Sequence, residues 1–105
     1  MAARTLRWFI RNRTTGWQNF NWDGVITANS VVHVSACEAK FFDAENPLRW
    51  RGDAPISVKN VRPHGPNPGD TNTGGVEFFL VVEWGSPLDV AVDITVIDTP
   101  EQVVL

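Results

Sequence analysis

GVEFFLVVEWGSPLDVAVDITVID, residues 75–98, alternates apolar and polar side chains on both sides of a Gly-Ser-Pro break. A period of two places successive side chains on opposite faces of a β-strand. The many β-branched residues, with Gly and Pro in mid-stretch, argue against a helix. We therefore predict two β-strands that pair as a β-hairpin. The predicted inward side chains are Val76, Phe78, Leu80, Val82 and Trp84 in the first strand, and Leu88, Val90, Val92, Ile94 and Val96 in the second.

The outward face of the first of these strands is half apolar. Phe79 and Val81 alternate there with Glu77 and Glu83. Such a face is covered either by another part of the same chain or by a second chain. On the second interpretation these four residues form an oligomer interface. Three residues on the outward face of the first predicted strand are candidates for the same role: Arg7, Phe9 and Arg11.

Short alternating segments separated by turn residues continue toward both ends of the chain. Residues 5–13 place Leu6, Trp8 and Ile10 on one face. A turn signal at Thr14-Thr15-Gly16 and the segment WQNFNW, residues 17–22, predict a short partner strand beside the first one. The remaining segments are predicted to be strands over residues 30–42 and 56–61, an ambiguous piece over 48–51, and an irregular loop over 63–75.

Six or seven short strands fit an all-β fold, a two-layer antiparallel β-sandwich with immunoglobulin-like or jelly-roll-like topology. A small β-barrel is the alternative. A chain of 105 residues has the size of one domain, so residues 1–105 are predicted to form a single β-sandwich domain. Cys37 is the only cysteine, which excludes an internal disulfide.

The charges are distributed unevenly along the chain, although the net charge is only −3. All nine Lys and Arg residues precede residue 63, whereas most of the acidic residues follow it. Two interpretations remain open. Oppositely charged strands can attract each other within one sheet, or opposite ends of two molecules can associate.

Residues that could support catalysis or metal binding are few and far apart. His33 and Cys37 share a strand face but are separated by about 13 Å, which is too far for one zinc ion. Asp89 and Asp93 have the same spacing, beyond the separation of about 5–9.5 Å between glycosidase carboxylates. The sequence contains neither a nucleophile elbow nor a phosphate-binding glycine loop. We expect no enzyme activity, no metal and no cofactor.

Aromatic side chains beside amides and arginines are the most suggestive feature for binding. Planar rings stack on the apolar faces of sugars, and amides or guanidinium groups hydrogen-bond to hydroxyls. Tryptophan is also often buried, so the same rings could instead close the ends of the core. The candidate residues for binding a protein or a glycan are Trp17, Asn19, Phe20, Trp22, Arg49, Trp50 and Arg51.

The sequence as a whole favours a non-catalytic binding or assembly module that acts through protein–protein contacts and forms a homo-oligomer. A carbohydrate-binding, lectin-like module is the alternative. A pI near 5.2 argues against nucleic acid as a partner. No stretch approaches the ~20 apolar residues that cross a bilayer, and the N-terminal residues lack the apolar core of a secretory signal. We therefore expect a cytoplasmic protein, or one exported without a cleaved signal.

Overall fold

The computed structural model describes residues 3–66 and 69–105, which form seven β-strands in two packed antiparallel sheets. The predicted all-β sandwich is confirmed. Four residues lie outside the described part: 67 and 68, in the predicted loop, and 1 and 2, at the N-terminus where no secretory signal was predicted. The strands are β1 (Arg4–Arg13), β2 (Gly16–Asn21), β3 (Val32–Phe41), β4 (Pro47–Arg49), β5 (Ile56–His64), β6 (Gly75–Val82) and β7 (Leu88–Val96).

The strand order is nested, in the sense that the early strands of the chain pair with the late ones. The four-stranded sheet has the order β1-β7-β3-β4, and the three-stranded sheet has the order β2-β6-β5. The first strand thus lies beside the last, and the second beside the sixth. An immunoglobulin domain keeps its first two strands in one sheet, whereas here they are in different sheets. The nesting is therefore jelly-roll-like.

The core lies between the two sheets and consists mostly of the predicted inward side chains, joined by Ile26 from the connection between β2 and β3, which was not predicted. Trp8 of β1 and Phe20 of β2 meet across the two layers, with ring centroids 5.2 Å apart. Inward residues of β1, β3 and β5 pack against the same cluster. Its buried members are Ile10, Ile26, Val76, Phe78, Leu80, Val82, Val90, Val92, Ile94 and Val96.

The predicted hairpin of β6 and β7 is wrong, although both strands and their inward faces are correct. β6 pairs with β2 and β5, whereas β7 pairs with β1 and β3. If β6 and β7 paired as a hairpin, their two apolar faces would lie on the same side of one sheet, and another part of the protein would have to cover both. In separate sheets they face each other and cover one another. The predicted inward position of Trp84 is also wrong, since β6 ends at Val82 and Trp84 is 53% exposed.

The prediction that β2 pairs with β1 is wrong for a similar reason. The chain crosses from one sheet to the other at Thr14 and Thr15, and β2 pairs with β6. The Thr15 hydroxyl fixes this crossing, because it accepts a hydrogen bond from the Val82 amide at 2.9 Å and donates one to the Val82 carbonyl at 3.2 Å. These bonds hold the turn against the end of β6.

The loop predicted over residues 63–75 is shorter than expected. β5 continues through Pro63 to His64, and β6 begins at Gly75. Proline is tolerated because β5 is an edge strand, where one side of the backbone needs no partner. A bulge between Lys59 and Arg62, with Asn60 at a φ of 52°, resets the alternation before the proline.

Part of the uneven charge distribution is neutralised by ion pairs between neighbouring strands. The Arg7 guanidinium donates two hydrogen bonds to the Asp93 carboxylate, at 2.7 and 3.1 Å. Arg62 of β5 forms ion pairs with Glu77 of β6 at 3.1 Å and with Asp70 at 3.2 Å. Basic strands from the first half of the chain therefore lie beside acidic strands from the second half. This arrangement supports the interpretation that neighbouring strands attract each other.

The pair of Arg7 and Asp93 makes stability depend on pH. The hydrogen bond from Arg7 holds the pKa of the Asp93 carboxyl below its usual value. A lowered folded-state pKa stabilises the fold above the ordinary pKa of aspartate, and this contribution disappears as pH falls through the lowered value. We expect Asp93→Asn to lower the Tm by a few degrees at pH 7 and by progressively less below about pH 4. Thermal unfolding between pH 2 and pH 7 tests this, with Asp53→Asn as the control, and a difference that persists at the lowest pH would contradict it.

Candidate functional site

The structure distributes the sequence-predicted site residues over four places. Some lie on the outward face of the three-stranded sheet, some in a cleft at the edge of the sandwich, and some on the outward face of the four-stranded sheet, whereas two aromatic residues point into the core. We call the first surface the outer patch and define it as Trp17, Lys59, Phe79, Val81 and Glu83. We call the second surface the edge cleft, and it lies between β3 and the segment that connects β4 to β5.

The outer patch has an aromatic centre. Trp17 of β2 and Phe79 of β6 are partners in the sheet register, and their rings meet edge to face with centroids 5.4 Å apart. The Trp17 side chain is nevertheless 58% exposed. Val81 lies two residues along β6 and therefore on the same face. In the part of the chain that the structure describes, more than half of the Trp17 surface is therefore open to solvent.

Opposite charges flank this aromatic centre. Lys59 is the partner of Phe79 on β5, and Glu83 directly follows the end of β6. In residues 3–66 and 69–105, neither side chain has an oppositely charged group within 4.0 Å. Glu77 differs, because Arg62 of the same sheet already engages its carboxylate. The patch thus carries one free positive and one free negative group.

Asn19, another predicted binding residue, is occupied by contacts within the chain. Its side-chain nitrogen donates a hydrogen bond to Asn21 Oδ1 at 2.7 Å, and its Oδ1 lies 2.7 Å from His64 Nε2. His64 is buried, and its Nδ1 lies 2.8 Å from the Thr73 carbonyl oxygen. The imidazole reaches from β5 to β2 over Gly75, which has no side chain to obstruct it. This cluster supports the sheet at one end of the outer patch.

Phe20 and Trp22 point into the sandwich and not toward solvent. Both rings pack against the buried core, Phe20 against Trp8 in particular. Alternation along β2 explains the division, because Trp17, Asn19 and Asn21 occupy the opposite face from Phe20. Of the three predicted aromatic residues in β2 and directly after it, only Trp17 is largely exposed.

Arg7, Phe9 and Arg11 lie on the opposite side of the molecule from the outer patch. Each has a partner within the four-stranded sheet. Arg7 binds Asp93, and the Arg11 guanidinium carbon lies 3.8 Å above the centroid of the Phe41 ring. The Phe9 ring meets Phe41 edge to face at 6.1 Å. The structure therefore does not unite the two halves of the predicted oligomer interface.

The edge cleft exists because β4 is much shorter than β3. The ladder between them covers only Ala39–Phe41 of β3, and one further bond joins the Trp50 amide to the Glu38 carbonyl at 2.7 Å. The chain then leaves this sheet and crosses to β5. A cavity of about 450 Å³ remains between the bare part of β3 and the crossing segment. Its lining residues are Ala36, Cys37, Glu38, Arg49, Trp50, Arg51, Gly52, Ala54 and Ile56.

The charged side chains of the edge cleft are two guanidinium groups and one carboxylate. Arg49 has Asp93 at 3.6 Å, outside the cleft lining. Arg51 and Glu38 have no ion-pair partner in the described part of the chain. The Glu38 carboxylate lies against the Cα of Gly52, where a Cβ would overlap its Oε1. Glycine at this position therefore lets the carboxylate lie close to the crossing segment.

The Trp50 ring is held in place from outside the edge cleft. The Lys40 ammonium lies 4.4 Å from the centroid of the Trp50 ring, and the Phe42 ring meets it edge to face at 6.2 Å. Contacts of this kind favour one orientation of an aromatic ring. Arg49, Trp50 and Arg51 are the three consecutive candidates from the sequence that the structure brings together.

Two charged residues of these surfaces were not recognised in the sequence. Lys59 and Glu38 are ordinary charged residues at strand positions, and their roles depend on which strands become neighbours. Alternation within residues 56–61 does place Lys59 opposite Ile56 and Val58, so its exposure was predictable. No local signal places Glu38 beside Gly52, which is fourteen residues further along the chain.

No protein-family model, no curated protein and no solved structure matches this chain. Across residues 3–66 and 69–105, no three His, Cys, Asp or Glu side chains lie close enough together to hold a metal ion. The same residues include no helix of the length and apolar character needed to cross a bilayer.

Proposed function

We propose that this chain is a non-catalytic assembly module that binds a second copy of itself through the outer patch. The observation that carries the proposal is the exposed Trp17 ring, which packs on Phe79 at the centre of an otherwise open sheet face. Aromatic residues are enriched in the cores of protein interfaces, and a single tryptophan there often dominates the binding free energy.

A second copy suits the outer patch because its free charges are self-complementary. In a twofold symmetric contact, every contact occurs twice: if one residue of the first copy meets a second residue of the partner, the second residue of the first copy meets the first residue of the partner. Lys59 of one copy can then face the partner's Glu83 on one side of the aromatic centre, and the reverse holds on the other side. Two like charges would repel in such a contact, whereas this pair of opposite charges attracts.

Replacing Trp17 by alanine tests the aromatic centre. We expect Trp17→Ala to raise the dimer Kd by about 30-fold or more, the size of a typical hot-spot effect. Trp84→Ala is the matched control, because Trp84 is exposed to a similar extent but lies outside the patch. Sedimentation equilibrium measures both constants. Equal constants for wild type and Trp17→Ala, or a monomeric wild type at all concentrations, would refute the proposal.

Charge reversal tests the predicted pairing directly. We expect Lys59→Glu and Glu83→Lys each to weaken the dimer by about tenfold at low salt, since each places like charges opposite one another. The double variant restores the attraction with the two signs exchanged, so its affinity should return close to that of the wild type. Additive weakening in the double variant would show that the two residues do not meet across the interface.

Saccharide binding in the edge cleft is a second candidate function. The observation that favours it is the grouping of Arg49, Trp50 and Arg51 around a cavity whose volume lies within the usual range for small-ligand sites. An indole ring that can stack on a sugar thus lies beside guanidinium groups that can hydrogen-bond to sugar hydroxyls. A glycan array tests this candidate, with Trp50→Ala expected to abolish any signal and Trp84→Ala expected to retain it. Loss of signal in both variants, or in neither, would contradict it.

A further inference from the structure

We infer that the edge cleft binds an acidic saccharide, and that Arg51 receives the carboxylate of a uronic acid residue. This inference rests on the second candidate function, saccharide binding, and is independent of the outer patch. It starts from the charges of the cleft: two guanidinium groups and one carboxylate, with the Lys40 ammonium close by on the Trp50 ring. Asp93 already lies opposite Arg49, so Arg51 and Lys40 are the positive groups here that have no carboxylate within 4.0 Å in the described residues.

Arg51 is the group best placed to bind an anion. Arg49 already has Asp93 at 3.6 Å, whereas no carboxylate of the described residues lies within 4.0 Å of Arg51. A guanidinium group presents parallel N–H donors that match the two oxygens of a carboxylate. A free arginine that lines a cavity is therefore suited to bind a ligand carboxylate in a bidentate manner.

Glu38 favours an acidic saccharide over inorganic phosphate. Its carboxylate accepts hydrogen bonds but donates none when ionised, so a ligand group that contacts it favourably has to bring donors. Sugar hydroxyls are such donors. Inorganic phosphate is a compact anion without a separate set of hydroxyls, so its negative charge would lie close to Glu38. A uronic acid carries a carboxylate for Arg51 and hydroxyls for Glu38 on a single ring.

Trp50 supplies the third contact. The apolar C–H face of a sugar ring packs on an indole ring, and contacts with Lys40 and Phe42 already hold this indole in place. A ring that is ordered before binding loses little conformational freedom when the ligand arrives. The three side chains thus make three chemically different contacts with one sugar residue.

Titration of the full chain with small saccharides tests the inference, with the Trp50 indole N–H resonance as the NMR readout. The probes are methyl β-D-glucuronide, methyl β-D-glucoside and inorganic phosphate. We expect the glucuronide to shift this resonance with an affinity about tenfold or more above that of the glucoside, and phosphate to leave it in place. Equal affinities for the two glycosides would overturn the acidic inference but leave saccharide binding intact. The absence of binding by either glycoside would overturn both.

Two variants locate the contacts. Arg51→Gln should remove the preference for the glucuronide but keep the weak binding of the glucoside, and Arg4→Gln serves as the control at an exposed arginine outside the cleft. Gly52→Ala should displace the Glu38 carboxylate and weaken both glycosides with little effect on folding, since the overlapped atom is the end of a flexible side chain. If Arg51→Gln retains the full preference, or phosphate shifts the Trp50 resonance as strongly as the glucuronide does, the inference is wrong.

Discussion

Phe78→Ala is expected to destabilise the protein by about 3–5 kcal/mol, which is a large part of the total stability of about 5–15 kcal/mol typical of a domain. Phe78 has 0% exposure and is the largest fully buried side chain among the described residues. Its removal from β6 leaves a cavity between the sheets, because the strands on either side are fixed by their own ladders. Urea unfolding followed by circular dichroism gives the loss in free energy.

Phe42→Ala is the matched control for this prediction. Phe42 is 57% exposed and contacts Trp50 outside the core, so we expect a loss below about 1 kcal/mol. A loss for Phe78→Ala no larger than for Phe42→Ala would mean that the inward face of β6 has been assigned incorrectly. The comparison thus tests the alternation of faces on which the two-sheet arrangement depends.

Gly75→Ala is expected to cost about 2–5 kcal/mol, because a methyl group at this position meets atoms that cannot easily move. A Cβ on Gly75 would lie 2.6 Å from the Phe20 carbonyl oxygen and 2.9 Å from the His64 ring. Overpacking of this kind costs about 1–3 kcal/mol. Displacing the buried imidazole from Asn19 and Thr73 adds the cost of polar groups left without partners.

Gly85→Ala provides the control for Gly75→Ala. No atom lies within 4 Å of a Cβ built on Gly85, and its φ is not in the left-handed region. We expect this substitution to be neutral or slightly stabilising, since alanine restricts the unfolded chain. Thermal unfolding of the two variants measures the difference. Similar Tm values for both would argue against the close packing of β2, β5 and β6 around Gly75.

Local alternation was sufficient to predict most of the strands and their inward faces. Val76, Phe78, Leu80 and Val82 are buried as the period of two requires, and the same holds for Val90, Val92, Ile94 and Val96. The sheet to which each strand belongs was not predictable in this way. A Gly-Ser-Pro connection fits both a hairpin and a crossing between layers, and only the need to cover two apolar faces decides between them.

The candidate sites were predictable only in part, for the same reason. The exposed position of Trp17 and the inward position of Phe20 follow from alternation on β2, but the contact of Trp17 with Phe79 requires the pairing of β2 with β6. Arg49, Trp50 and Arg51 were predicted as binding residues from their residue types alone, an aromatic residue between two arginines. The cleft around them, with Glu38 on its other side, depends on the shortness of β4, which the sequence does not indicate.

Self-association through the outer patch is tested most directly by ¹H–¹⁵N NMR spectra of the wild-type chain over a range of protein concentrations. As concentration rises, we predict shifts of the Trp17 indole N–H and of the amides of Lys59 and Phe79, with no change at Arg7, Phe9 or Arg11. Spectra that do not change with concentration, or shifts confined to the four-stranded sheet, would contradict the proposal.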